Sequence, residues 1–180
     1  TLMKILYGFY SADQGEIIYG GDPVRIQSPQ DALSLQIGMV FQDLNLIPAM
    51  TVSENIALFL TDLPFVYKNS EIQDRIKEIS KRYRLEIDPK ALISDLSIGQ
   101  QQKVEILKLL MSEAKVLILD EPTRVLAPHE VDALFTILFR LRDDDFSIIL
   151  ITHKLKEVLA CAERITVLRK GKVSGELGID

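Results

Sequence analysis

The chain has 180 residues, 47% of them hydrophobic, and 26 acidic against 21 basic side chains give it a net charge of −5. That is enough apolar material to bury the core of one sizeable domain, and the acidic balance argues against a nucleic-acid-binding face. A single cysteine, Cys161, excludes an internal disulfide, and no apolar run approaches the roughly 18 residues that span a bilayer.

Leu2, Ile5 and Leu6 recur at helical spacing, and Gly8 suits the end of that helix. Glu16 to Tyr19 alternates like a short strand and runs into a Gly20-Gly21 turn. Pro29 to Leu35 reads as a short helix, and Ile37 to Phe41 as an apolar strand ending at Gln42. From Asp43 to Met111 the pattern is helical, without a convincing strand. Thr51 or Ser53 caps a helix running to about Leu60. Ile72, Ile76, Ile79 and Tyr83 stripe a second helix, from about Ser70 to Arg84, with Lys77, Glu78, Lys81 and Arg82 on the solvated face opposite. A third helix runs from about Ser97 to Met111. Strand 115–119, helix 128–142, strand 147–151, helix 154–161, strand 164–169 and a short strand near 172–177 then follow. Such alternation predicts a mainly parallel sheet with crossover helices. Asp143-Asp144-Asp145, between a helix and a strand, reads as a solvated loop.

One stretch carries more information than the rest. Val116 to Leu119 are all branched aliphatics, which suits a strand buried on both faces. The run stops abruptly at Asp120-Glu121-Pro122. Pro122 cannot donate to a ladder, and burying unpaired charge is expensive. Both acids are therefore expected at the carboxyl end of a buried strand, where open α/β sheets bind ligands.

Three further features accompany the acid pair. Strand 37–41 ends in Gln42, Leu96-Ser97-Ile98-Gly99-Gln100-Gln101-Gln102 opens a helix, and strand 147–151 ends in Thr152-His153. With "LSIGQQQKVEILKLL", "VLILDEPTRVLAPHEVDALF", "IILITHKLKEVLACAERITVLRKGKV" and "GMVFQDLNLIPAMTVSENIAL", the sequence resembles the nucleotide-binding subunits of ABC transporters. Within them it is most similar to the importers for simple sugars and nucleosides. The likeness covers essentially the whole chain, and the signature helix and acid pair at this spacing are highly specific together.

The resemblance implies an α/β P-loop NTPase (RecA-like) core with a mainly parallel sheet, at 1–42 and 112–180. An inserted α-helical subdomain at 43–111 would carry the signature motif. It implies ATP and Mg²⁺, with Asp120 as the metal-holding aspartate and Glu121 as the general base. His153 would contact the γ-phosphate and hold the attacking water, and Gln42 would sense metal and water. Ser97, Gly99 and Gln100 would bind ATP held by a second nucleotide-binding domain. Their helix start offers free N–H groups for an anion, Ser97 suits an N-cap, and Gly99 permits close backbone approach. Leu44, Leu46, Ile47 and Met50 would face transmembrane permease subunits or else cap the helical subdomain. The implied location is the cytoplasmic face of the membrane, served indirectly by a periplasmic or lipoprotein substrate-binding protein. His129 is expected only to be exposed.

The chain also departs from the family's pattern. The Walker A loop, G-x-x-x-x-G-K-[ST], is absent from these residues. Thr1-Leu2-Met3-Lys4 reads like the residues that follow such a loop, which would place Thr1 near the α-phosphate. The expectation is an N-terminally truncated core, inactive by itself. Ile98 replaces the usual first glycine of the signature, which favours the sugar and nucleoside branch. Ala127 stands at the usual D-loop aspartate, and Arg124 replaces a small residue. Members of that branch often carry two fused, unequal ATPase halves, so the chain is expected to be the N-terminal half of a tandem, with a homodimer as the other arrangement. Two other readings compete with it: a soluble ABC ATPase of DNA repair or of ribosomes, and a degenerate, non-catalytic half acting as an interaction module. About 55 positions separate Gln42 from Ser97, too few for the long coiled coil of repair types. Asp120, Glu121 and His153 argue against the degenerate half.

Overall fold

A computed structural model describes residues 1–60 and 68–179. Residues 61–67, inside the expected helical segment, and Asp180 lie outside the described residues. Three parallel strands form the centre: β3 (Ile37–Val40), β4 (Val116–Asp120) and β5 (Ser147–Ile151), with β4 in the middle. Their order follows from composition. Leu117, Ile118 and Leu119 of β4 are wholly buried, and successive residues serve opposite faces. Leu117 and Leu119 enter the larger core cluster, and Ile118 enters a smaller one with Tyr7, Ile37 and Met39.

The smaller cluster is roofed by α1 (Leu2–Leu6) and α2 (Pro29–Ser34). Helix α2 begins with a full capping box between Ser28 and Asp31. The larger cluster lies under α5 (Ile98–Met111) and α6 (Pro128–Asp143), which cross from β3 to β4 and from β4 to β5. Helix α5 packs so close to β3 that a Cβ at Gly38 would stand 2.8 Å from Leu109 Cδ2. Glycine is what admits the helix there.

Between β3 and α5 lie α3 (Val52–Phe59) and α4 (Asn69–Tyr83). Thr51, not Ser53, caps α3, closing a box with Glu54. On α4 the expected stripe faces inward, with Ile72, Ile76 and Tyr83 buried and Ile79 partly so. Lys77, Glu78 and Lys81 are exposed as expected. Arg82 is exposed but engaged. Its Nε and Nη2 donate to Asp144 Oδ2 at 3.1 and 2.7 Å, and Tyr83 Oη donates to the same oxygen at 3.0 Å. Asp144, expected in a solvated loop, is thus the tether between α4 and the end of α6.

The sheet differs from expectation at its ends. A strand β1 (Ile17–Tyr19) pairs antiparallel with β2 (Asp22–Val24) across Gly20 and Gly21, both at positive φ. Alternation missed β2 because Pro23 interrupts it. Proline is tolerated where its missing donor would face outward. After α7 (Leu155–Cys161), β6 (Arg164–Arg169) pairs with β7 (Lys172–Gly178) rather than extending the parallel sheet. Lys170 and Gly171, both at positive φ, make the tight turn that folds the two strands together.

Candidate functional site

Parallel strands end on the same edge, so their last residues converge. The register sets Val40 beside Leu119 and Asp120 beside Ile151, and the Glu121 N–H donates to the Ile151 carbonyl at 2.9 Å. Gln42, Asp120-Glu121 and Thr152-His153 therefore emerge together at one edge of the sheet. Gln42 is exposed, and Asp120 is half-buried. One carboxylate and one amide oxygen from neighbouring strands suit a hard cation, which keeps several waters and takes few protein ligands.

Glu121 turns the chain. Its φ is +48°, left-handed and unusual for a side-chain-bearing residue. Such conformations cost about 1–3 kcal/mol and gather at functional sites. Pro122 and Thr123 are buried just beyond and hold the turn, whose Arg124 N–H donates to the Glu121 carbonyl at 3.1 Å. The Glu121 carboxylate is 27% exposed, and its Oε1 lies 3.0 Å from His153 Nδ1. With Nδ1 protonated, the ring donates to the carboxylate and turns Nε2 outward. The pair presents a partly shielded acceptor beside a second polar group, a suitable place to orient water and take up a proton.

The structure does not bring every expected residue to this edge. Ser97 caps α5: its Oγ accepts from the Gln100 N–H at 3.2 Å, and its own N–H donates to Gln100 Oε1 at 2.9 Å. Gly99 is buried under Glu130, whose Oε1 would lie 2.4 Å from a Cβ there. The Ser97 hydroxyl also donates to that oxygen at 3.4 Å. Ser97, Gly99 and Gln100 thus line a groove against the start of α6, with exposed His129 on its rim. Thr1 is exposed at the head of α1. Ala127 occupies the N-cap of α6 without a capping oxygen, while Glu130 Oε2 accepts its N–H at 3.0 Å.

The loop after Gln42 is pinned from within. Asn55 exchanges two hydrogen bonds with Ile47 backbone and donates to the Thr51 carbonyl. Leu46 packs on the core, whereas Ile47 is 45% exposed. Near this edge Thr123, Thr152, Lys154 and Glu157 form one polar cluster, of which the sequence marked only Thr152, as a strand end. Their signal was faint. Glu157 stands four positions after His153, where an acid also suits any first helical turn.

The family described as "ABC transporter" matches residues 1–124. The glucose import ATP-binding protein TsgD13 of Haloferax volcanii is 47% identical, the match covering 97% of this chain and 37% of that protein. The nucleoside import ATP-binding protein NupA of Lactococcus lactis subsp. cremoris is 48% identical, over 96% and 34%. The ribose import ATP-binding protein RbsA 1 of Rubrobacter xylanophilus is 41% identical, over 100% and 36%. The chain therefore spans about a third of the length of these relatives. Among solved structures, a bacterial ABC transporter cassette seen as a dimer superposes with a TM-score of 0.80 at 25% identity, covering 98% of this chain and 78% of that one. A nucleotide-free ATP-binding cassette reaches 0.85 at 22% identity, over 99% and 75%, a likeness of fold.

Proposed function

The chain belongs to the ABC transporter family, and from that premise we propose that it is the ATP-hydrolysing part of an importer for a sugar or nucleoside. The observation that carries the reading is the 3.0 Å contact between Glu121 and His153 at the carboxyl edge of the parallel sheet. Glu121 takes the proton of a water whose oxygen bonds to the γ-phosphorus as the β–γ bridging bond breaks. His153 holds that carboxylate and the γ-phosphate side of the site in register. Asp120, with Gln42, would hold Mg²⁺, which would supply charge neutralisation for the phosphates. Thr1 lies toward the α-phosphate. Ser97, Gly99 and Gln100 serve ATP bound by a second nucleotide-binding domain, either the other half of a tandem or another copy. Positioning and electrostatics carry most of such catalysis.

In this reading residues 1–42 and 112–180 are the ATPase core and 43–111 the helical subdomain. The loop at Leu44, Leu46, Ile47 and Met50 meets transmembrane permease subunits, and a substrate-binding protein acts at one remove. Among the described residues no helix is long and apolar enough to cross a membrane, which accords with a peripheral place on the cytoplasmic face. The 180 residues contain no G-x-x-x-x-G-K-[ST] loop, so turnover is assigned to the whole protein and not to these residues alone.

The test is Glu121→Gln in the whole protein. Loss of a general base lowers kcat by about 100-fold to 10,000-fold, with ATP still bound. Unchanged turnover would instead identify a non-catalytic half, a reading that Ala127 permits.

A further inference from the structure

The side chain of His153 is 69% exposed, so burial does not hold its ring against Glu121. Its chain neighbours are held instead. Thr152 Oγ1 donates to Glu157 Oε2 at 2.9 Å, and Lys154 Nζ lies 3.0 Å from Glu157 Oε1. The acid-pair side completes the grip. Thr123, two residues past Glu121, donates its hydroxyl to Glu157 Oε1 at 2.6 Å. Lys154 Nζ donates to the Thr123 carbonyl at 3.0 Å and hydroxyl at 3.1 Å. Thr123 and Glu157 are 1% and 7% exposed, and buried polar bonds are costly to leave unmade. Burial pushes the Glu157 carboxyl up, yet hydrogen bonds from Thr123, Lys154 and Thr152 prevail and hold it below its ordinary value.

From this geometry we infer that Glu157 is a positioning residue for ATP hydrolysis, clamping Thr123 to Thr152 and thereby fixing the Glu121–His153 contact. Enclosed as it is, the carboxylate acts through the pair and not on substrate. The inference rests on the ATPase reading above.

The experiment is steady-state ATP hydrolysis by the whole protein carrying Glu157→Ala, Glu157→Gln, His153→Ala, or either Glu157 change with His153→Ala. A misplacement near 1 Å costs roughly 100-fold, so Glu157→Ala is expected to lower kcat by about 10-fold to 100-fold and to leave KM for ATP within about twofold. Glu157→Gln keeps an acceptor and recovers part of the loss. In the His153→Ala background either Glu157 change costs little more, because both act through one contact. Losses that multiply, or a wild-type kcat in Glu157→Ala, overturn the inference. Should Glu157→Ala fail to fold, the Glu157→Gln cycle reads the same coupling. Unchanged turnover in Glu121→Gln removes the ATPase reading itself. Loss there beside normal Glu157 variants removes only the positioning role.

Discussion

Replacing Lys108 by Met strands a buried carboxylate. Glu105 and Lys108 are each 5% exposed, one turn apart on α5, with Lys108 Nζ 3.2 and 3.1 Å from the two carboxylate oxygens. The ammonium also donates to the Asn45 carbonyl at 3.0 Å and lies 5.1 Å from the Phe59 ring centroid. Removing one member of a buried pair costs roughly 3–5 kcal/mol because the other charge stays uncompensated, whereas an apolar replacement of both is often neutral. At about 2–4 °C per kcal/mol for a domain of this size, Lys108→Met should lower the melting midpoint by roughly 6–20 °C. Combining it with Glu105→Leu should restore most of that. The remainder is the Asn45 carbonyl, which loses its donor at about 0.5–1.5 kcal/mol. Calorimetry on the whole protein, following the transition of this domain, supplies the midpoints. A Lys108→Met midpoint within about 2 °C of wild type, or a double variant below both singles, refutes the reasoning.

Ala127→Thr should stabilise α6. Glu130 already makes its half of the box, and a hydroxyl at the N-cap adds the other half, worth about 1 kcal/mol or a midpoint rise of roughly 2–4 °C; a lower midpoint counts against it. Asp144 has its carboxyl held below the ordinary value, first by the Tyr83 hydroxyl and then by Arg82. A group lowered on folding stabilises above its unfolded value, and that stability drains away as pH falls through the folded value. Acid unfolding below about pH 4 should therefore be steeper in wild type than in Asp144→Asn, and parallel acid limbs would show that the tether carries no proton linkage.

What was legible in the sequence is what one short stretch states by itself. The β4 aliphatic run ending in Asp120-Glu121, the α4 stripe and the Ser97 cap each follow from local pattern. What was not legible depends on partners far away in the chain. Arg82 reads as solvated until Asp144 arrives from 62 positions downstream. Thr123 is an ordinary turn residue until Glu157, 34 positions on, meets it. Nothing in the local pattern marks Glu105 and Lys108 as a buried pair, yet α5 is buried on nearly every side. A helix enclosed all round has no polar face to announce itself. Strand β6 was misplaced for the opposite reason: alternation says that a strand exists, and the Lys170-Gly171 turn decides what it pairs with.

The turn from Glu121 to Glu130 touches both groups of candidate residues, but not with equal firmness. At one end Thr123 is buried and bound to Glu157 at 2.6 Å, with Lys154 on both its oxygens. At the other end Glu130 reaches the Ser97 hydroxyl at 3.4 Å across a solvent-exposed gap. Bond strength falls steeply with length, and exposed bonds exchange readily with water. Breaking that one bond costs less than about 1 kcal/mol. Moving Thr123 would break its buried bond to Glu157 and both part-buried bonds from Lys154. The chain is therefore held firmly beside the Glu121–His153 contact and loosely beside Ser97.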